Sequence, residues 1–119
     1  MIRVKRVYER FDEADGYRVL VDRLWPRGVK KEEARLERWM RDIAPSDALR
    51  REFRHEPEKW AEFKRRYFKE LDDNQGPVEE IMQLARSGTV TLVYSAANTD
   101  LNNAVALKEY LATKLGEPE

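Results

Sequence analysis

The chain has 119 residues, 41% of them hydrophobic and 39% charged, which is enough for one compact domain with a packed core and excludes a disordered chain. It contains no cysteine, which excludes thiol nucleophiles, thiolate metal sites and a disulfide scaffold and fits a cytoplasmic setting. The 23 basic and 23 acidic side chains cancel, yet residues 1–69 carry 20 Lys/Arg against 14 Asp/Glu and residues 70–119 carry 3 against 9, a split that either marks an anion-binding face or reflects uneven helix charge.

The first run, Ile2 to Val7, alternates as a strand does, and Arg18 to Leu24 is nearly continuous in branched apolar residues, as expected of a central strand. Between them Asp15-Gly16 is a turn signal that suits either a hairpin or a short crossover. Leu36, Trp39, Met40 and Ile43 fall at helical offsets and predict a helix that Ala44-Pro45 ends. Ser46 is a good N-cap for a further helix carrying Leu49 and Phe53, and Pro57 opens another with a Trp60, Phe63, Tyr67 and Leu71 stripe. After the break at 72–77, Val78, Ile81, Met82 and Ala85 predict a helix ending at Gly88. Thr89 to Tyr94 reads as a buried strand, a polar loop follows, and Ala104, Leu107, Leu111 and Leu115 share one face of a last helix. Residues 1–119 are thus expected to form a single α/β domain, a small and mostly parallel sheet covered by helices on both faces. No stretch reads as a signal peptide or a membrane span, so a soluble, cytoplasmic protein is expected.

Two segments could carry chemistry, and both leave the carboxyl ends of predicted strands, where open α/β sheets bind ligands. In Asp22-Arg23-Leu24-Trp25-Pro26-Arg27-Gly28, the planar donors of Arg23 and Arg27 suit a phosphate or carboxylate, and Trp25 would wall the ligand or stack on it. The bland alternative pairs Asp22 with an arginine and puts Trp25 in the core. In the loop from Ser95 to the last helix, Ser95, Asn98, Asn102 and Asn103 would orient an anion near a helix start, although some of these residue types are ordinary helix caps. If the two strands are neighbours, both loops open on the same edge and converge. Asp22 is the candidate general base, with an orienting role as its alternative. His55, the single histidine, is a second and weaker acid-base candidate, the favoured reading being a charge that suits a helix C-terminus. One histidine without cysteine matches no usual metal site, and the five scattered glycines match no phosphate-loop or dinucleotide pattern, so neither metal nor cofactor is expected.

The blocks RVLVDRLWPRGVKKE, IAPSDALRREFRHEPEKWAEFKRRYFKEL and TLVYSAANTDLNNAVALKEYL, in that order, resemble the YeaO-like branch of the domain of unknown function 488 family over most of the chain. In the broader family a strand ending in an Asp-x-Arg-like segment and Pro is paired with a late strand that often runs into Cys and His. Asp22, Arg23 and Pro26 look like the first element, whereas the late strand here reads Tyr94-Ser95 and then Asn102-Asn103. The resemblance implies a small α/β domain with a site at these two loops, and it brings no reaction with it.

The expected function is binding of a small anionic, phosphate- or nucleotide-like ligand at the strand carboxyl ends, with action on that ligand left open. The alternative is a non-catalytic regulatory module that binds nucleic acid or protein. Nucleic acid is disfavoured because the basic residues around Trp60 and Tyr67 are interleaved with Glu58, Glu62 and Glu70 and give no uniformly positive track. The oligomeric state is not legible.

Overall fold

Four short runs rich in branched apolar residues pair into one sheet: β1 (Ile2–Arg6), β2 (Tyr17–Leu20), β3 (Arg38–Trp39) and β4 (Val90–Tyr94). The computed structural model describes residues 1–54 and 56–116. The strand order is β1-β4-β2-β3 and every pairing is parallel. β4 lies between β1 and β2, and all five of its residues are buried, which is why it reads as a continuous apolar run. Because β1 and β2 flank β4 and run the same way, the segment joining them is a crossover and not a hairpin. Gly16 closes it at φ 65°, where an added Cβ would lie 2.4 Å from the Thr89 carbonyl oxygen, so only glycine fits.

The period of two sorts the sheet residues onto two faces. Ile2, Val19, Val21, Val90, Leu92 and Tyr94 enter the main core, which is completed by α2 (Asp47–Phe53), α3 (Trp60–Asp72), α4 (Gln75–Ser87) and α5 (Asn103–Leu115). Val7, Leu20 and Val93 face the other way, under Trp25, Val29, Leu36 and Trp39. The expected two-sided helical cover is therefore corrected: the four longer helices contribute to one core, while the second face is closed by the 21–44 segment, whose only α-helix is the single turn α1 (Lys31–Ala34). Among the described residues no helix is long and apolar enough to cross a membrane.

The predicted helix over Leu36 to Ile43 is also corrected. Arg38–Trp39 extends the sheet beside β2, with Glu37 N donating to Arg18 O and Met40 N to Leu20 O, both at 2.9 Å. The four apolar residues do not share a stripe: Leu36 and Trp39 pack on the second face, and Met40 and Ile43 enter the main core. Their helical spacing is a coincidence of a strand followed by a 3-10 turn at Arg41–Ile43.

The amino-terminal half of the second face is polar and closed. Arg18 is 2% exposed and donates to Asp15 Oδ2 at 2.6 Å, to Arg35 O at 3.0 Å and to Ala34 O at 2.9 Å. Lys5 Nζ reaches both oxygens of Asp15, at 3.1 and 3.0 Å. Burial pushes the Asp15 carboxyl up, but hydrogen bonds from Lys5, the Asp12 backbone and Arg18 outweigh it and hold the group below the usual carboxylate range. A carboxyl depressed in the folded state stabilises the fold above its unfolded value near 4, and that stabilisation is lost as pH falls through the lower folded value. Asp15→Asn is therefore expected to cost about 3 kcal/mol at pH 7 by leaving Arg18 buried without its anion. In urea titrations the gap from wild type should narrow as pH drops below about 4. A gap that stays constant with pH would show that the Asp15 charge does not stabilise the fold.

Candidate functional site

The ladder between β2 and β4 runs one residue past the strands, with Val21 N donating to Val93 O at 3.0 Å. The next residue, Asp22, joins the two strand ends through its side chain. Its Oδ2 accepts from Ser95 N at 2.9 Å and from Ser95 Oγ at 2.8 Å, and its Oδ1 accepts from Asn103 Nδ2 at 3.1 Å. Asn103 Nδ2 also donates to Val21 O at 3.0 Å. One carboxylate thus fixes the end of β2, the first residue after β4 and the first turn of α5. The same contacts put negative charge beside the positive end of that helix.

Past Asp22 the chain turns out of the sheet. Arg23 is half-buried and donates from Nε to Pro45 O and from Nη2 to Ala44 O, both at 3.2 Å. Trp25 lies edge-on to Trp39, with ring centroids 5.4 Å apart, and its indole N–H donates to Val29 O at 2.8 Å. The ring therefore walls the cleft from the small second core. Pro26 is buried, and Arg27 is exposed, with its carbonyl accepting from Tyr8 Oη at 2.7 Å. Among the described residues neither Arg23 nor Arg27 forms an ion pair with a carboxylate.

The third wall comes from α2. Ser46 caps it by accepting from Leu49 N at 3.2 Å, while Glu70 of α3 accepts from Ser46 N at 2.9 Å and from Ser46 Oγ at 2.7 Å. That clamp sets the helix so that Arg50 and Phe53 face the strand ends. Beneath it, Tyr67 Oη donates to Ile43 O at 2.6 Å. Burial raises the Tyr67 phenol far above its ordinary value, with the Glu70 and Asp22 carboxylates adding to the rise and Arg23 opposing it. It is a neutral hydrogen-bond donor and not a titrating group.

Together these segments enclose a cleft of about 280 Å3 at the carboxyl edge of the sheet. It gathers Asp22, Arg23, Trp25, Arg27, Ser95 and Asn103, and two neighbours in sequence, Asn98 and Asn102, stay out of it. Asn98 Oδ1 accepts from the backbone N–H of Asp100 and of Leu101, both at 2.9 Å, as a turn residue does. Asn102 is fully buried, caps α5 by accepting from Val105 N at 2.9 Å, and donates to Asn98 O at 3.0 Å. His55 lies outside the described residues. The sequence reading missed Arg50, Phe53 and Phe63, which line the cleft from α2 and α3. Nothing in one-dimensional spacing links those helices to the ends of β2 and β4.

A larger hollow of about 480 Å3 lies between α2 and α3. We place the candidate site in the smaller cleft, because Asp22 and Ser95 at the ends of β2 and β4 line it, whereas the hollow shares only Phe53 and Phe63 with it and is lined by residues of the helical layer. No group of three His, Cys, Asp or Glu side chains able to hold a metal ion comes together among the described residues.

Fold and cleft define a small, open, all-parallel α/β domain with its candidate site where two strand-end loops meet. The chain belongs to the DUF488 family: the model described as the inactive DUF488-N3 subclade matches residues 1–119. It is 42% identical over 110 residues to the uncharacterized protein YeaO of Escherichia coli (strain K12), covering 92% of this chain and 96% of that one. It is 41% identical over 110 residues to the uncharacterized protein Mb3100c of Mycobacterium bovis and to the uncharacterized protein Rv3073c of Mycobacterium tuberculosis, covering 92% of each chain. No solved structure matches the chain.

Removing the Asp22 carboxylate leaves the donors of Ser95 and Asn103 without their acceptor. Asp22→Ala is expected to cost about 3 kcal/mol in chemical denaturation and Asp22→Asn about half of that. Unchanged midpoints in both variants would show that this carboxylate does not tie the two loops together.

Proposed function

We propose that this protein is a binding domain for a small oxyanion, which it holds at the carboxyl edge of its sheet without transforming it. The observation that carries the reading is the charge of the cleft: Arg23, Arg27 and Arg50 line it together, and Asp22 is the one acid among the described residues that line it. The Asp22 oxygens already accept from Ser95 and Asn103. Arg23 spends two donors on backbone carbonyls, which leaves its orientation fixed and its charge uncompensated by them. Among the described residues Arg50 pairs only with Asp47, in an exposed 3.3 Å contact of the kind that contributes little. Planar guanidinium forks match phosphate and carboxylate oxygens in pairs, and that match favours an oxyanion over a neutral ligand.

Two features favour binding over turnover. The Ser95 hydroxyl donates to a carboxylate, which holds it in place and is a weak base for activating it. Asp22 is committed to positioning donors on the strand and helix ends, which is the work of an anchor. The description of the matched subclade as inactive agrees with this reading.

A ligand that binds only the folded state raises its stability, by about 1.4 kcal/mol at ten times its dissociation constant. For a domain of this size that corresponds to a rise in Tm of about 6 °C. In thermal-shift measurements with inorganic phosphate, the wild-type protein is expected to show such a rise. Arg27→Ala, which removes an exposed side chain with no ion pair among the described residues, should unfold at the wild-type temperature without phosphate and lose most of the shift with it. No shift in the wild type, or an equal shift in the variant, contradicts the assignment.

A further inference from the structure

The oxyanion reading uses the guanidinium groups of the cleft and leaves the rest of its lining unexplained. Apart from Asp22, Ser95 and Asn103, which bond one another, that remainder is apolar: the solvent-accessible Leu24 and Trp25 and the buried Pro26, Pro45, Phe53 and Phe63. Inorganic phosphate needs donors and gains nothing from such surface. Leu24 stands out, since it is 60% exposed and is one of the few large apolar side chains turned to solvent among the described residues. A leucine left wet on the wall of a cationic cleft has surface to bury when the cleft is filled. Phe53 and Phe63 stack at 4.5 Å between centroids with 26° between planes and are buried, so they form a packed floor under the cleft.

Size narrows the occupant further. Pockets for drug-sized ligands run from about 300 to 1,000 Å3, and this cleft, at about 280 Å3, falls just below that range. It has room for one ring and one charged group, and a dinucleotide is too large.

Building on the oxyanion reading, we propose that the ligand is an aryl oxyanion: a single aromatic ring carrying a phosphate-like group, with the charged end on Arg23, Arg27 and Arg50 and the ring against Leu24 and Trp25. The arginines supply orientation and charge. The apolar lining supplies the selectivity for a ring-bearing anion over the bare ion, because burying the ring removes both its surface and that of Leu24 from water.

The test is calorimetric titration of the full chain with phenyl phosphate, inorganic phosphate and phenol, on wild type and on Leu24→Ser, an exposed position where the substitution leaves the core intact. Phenyl phosphate is expected to bind at least fivefold more tightly than inorganic phosphate and than phenol. Leu24→Ser should cut the preference over inorganic phosphate by at least half while leaving phosphate binding unchanged, and ring protons of phenyl phosphate should show nuclear Overhauser contacts to the Leu24 methyls. A preference under fivefold, an unaltered preference in the variant, or no contact to Leu24 overturns the aryl assignment while leaving the oxyanion reading standing. If neither anion binds, both fall. If phenol binds as tightly as phenyl phosphate, the charged group contributes nothing, and the oxyanion reading and the aryl-oxyanion proposal that rests on it both fall.

Discussion

The geometry of the candidate site depends on one carboxylate. Two neighbouring parallel strands end side by side, and the first side chain past the shared ladder, Asp22, accepts from the first residue after the other strand and from the first turn of the following helix. Parallel strands cannot be joined by a tight turn at their ends, so their exit loops are independent unless a side chain connects them. Asp22 makes that connection, and the arginines that follow it on one loop are thereby fixed relative to Ser95 and Asn103 on the other. Arg23 then extends the bracing to the turn before α2 through the carbonyls of Ala44 and Pro45.

The two edges of the sheet show how the same residue type serves opposite ends. At the amino-terminal edge Arg18 is buried, and its guanidinium is matched to Asp15 and to the carbonyls of Ala34 and Arg35. A buried charge is tolerated only when it is paired and hydrogen-bonded in this way, and such a cluster has nothing left to offer a ligand. At the carboxyl edge Arg27 is exposed and Arg50 is tied only to a surface aspartate. Both remain hydrated, and exchanging their water for an oxyanion costs far less than opening the Arg18 cluster would. The distribution of partners, more than the count of arginines, separates the structural end of the sheet from the candidate binding end.

Much of this was legible in the sequence where local chemistry dominates. The run at 90–94 is apolar at almost every position because β4 is buried on both faces, and Ser46 caps a helix as its chemistry predicts, while Gly88 ends α4 in an extended conformation and not as a left-handed cap. That the loops after β2 and β4 meet follows from the expectation that two neighbouring parallel strands open on one edge, whereas the bond of Asp22 to Ser95 was not legible: the sequence left Asp22 as a base, an orienting group or the partner of an arginine. Legibility failed where tertiary contacts override periodicity. Leu36, Trp39, Met40 and Ile43 imitate a helix and instead divide between two faces of a sheet. Asn98 and Asn102 have the composition of a ligand loop and are spent on a turn and a cap. Arg50 could not be found from the sequence, since what brings it to the cleft is the grip of Glu70 on Ser46, across 24 residues.

The most direct test of the central claim, that the carboxyl-edge cleft receives an oxyanion, is a residue-resolved nuclear magnetic resonance titration with inorganic phosphate. The account predicts saturable shifts in the Arg23 and Arg27 Nε–H signals and in the Ser95 amide, all fitting one dissociation constant, with the buried Arg18 signal unmoved. Shifts confined to Arg51 and Arg66 in the hollow between α2 and α3, or no saturable shift anywhere, would contradict it.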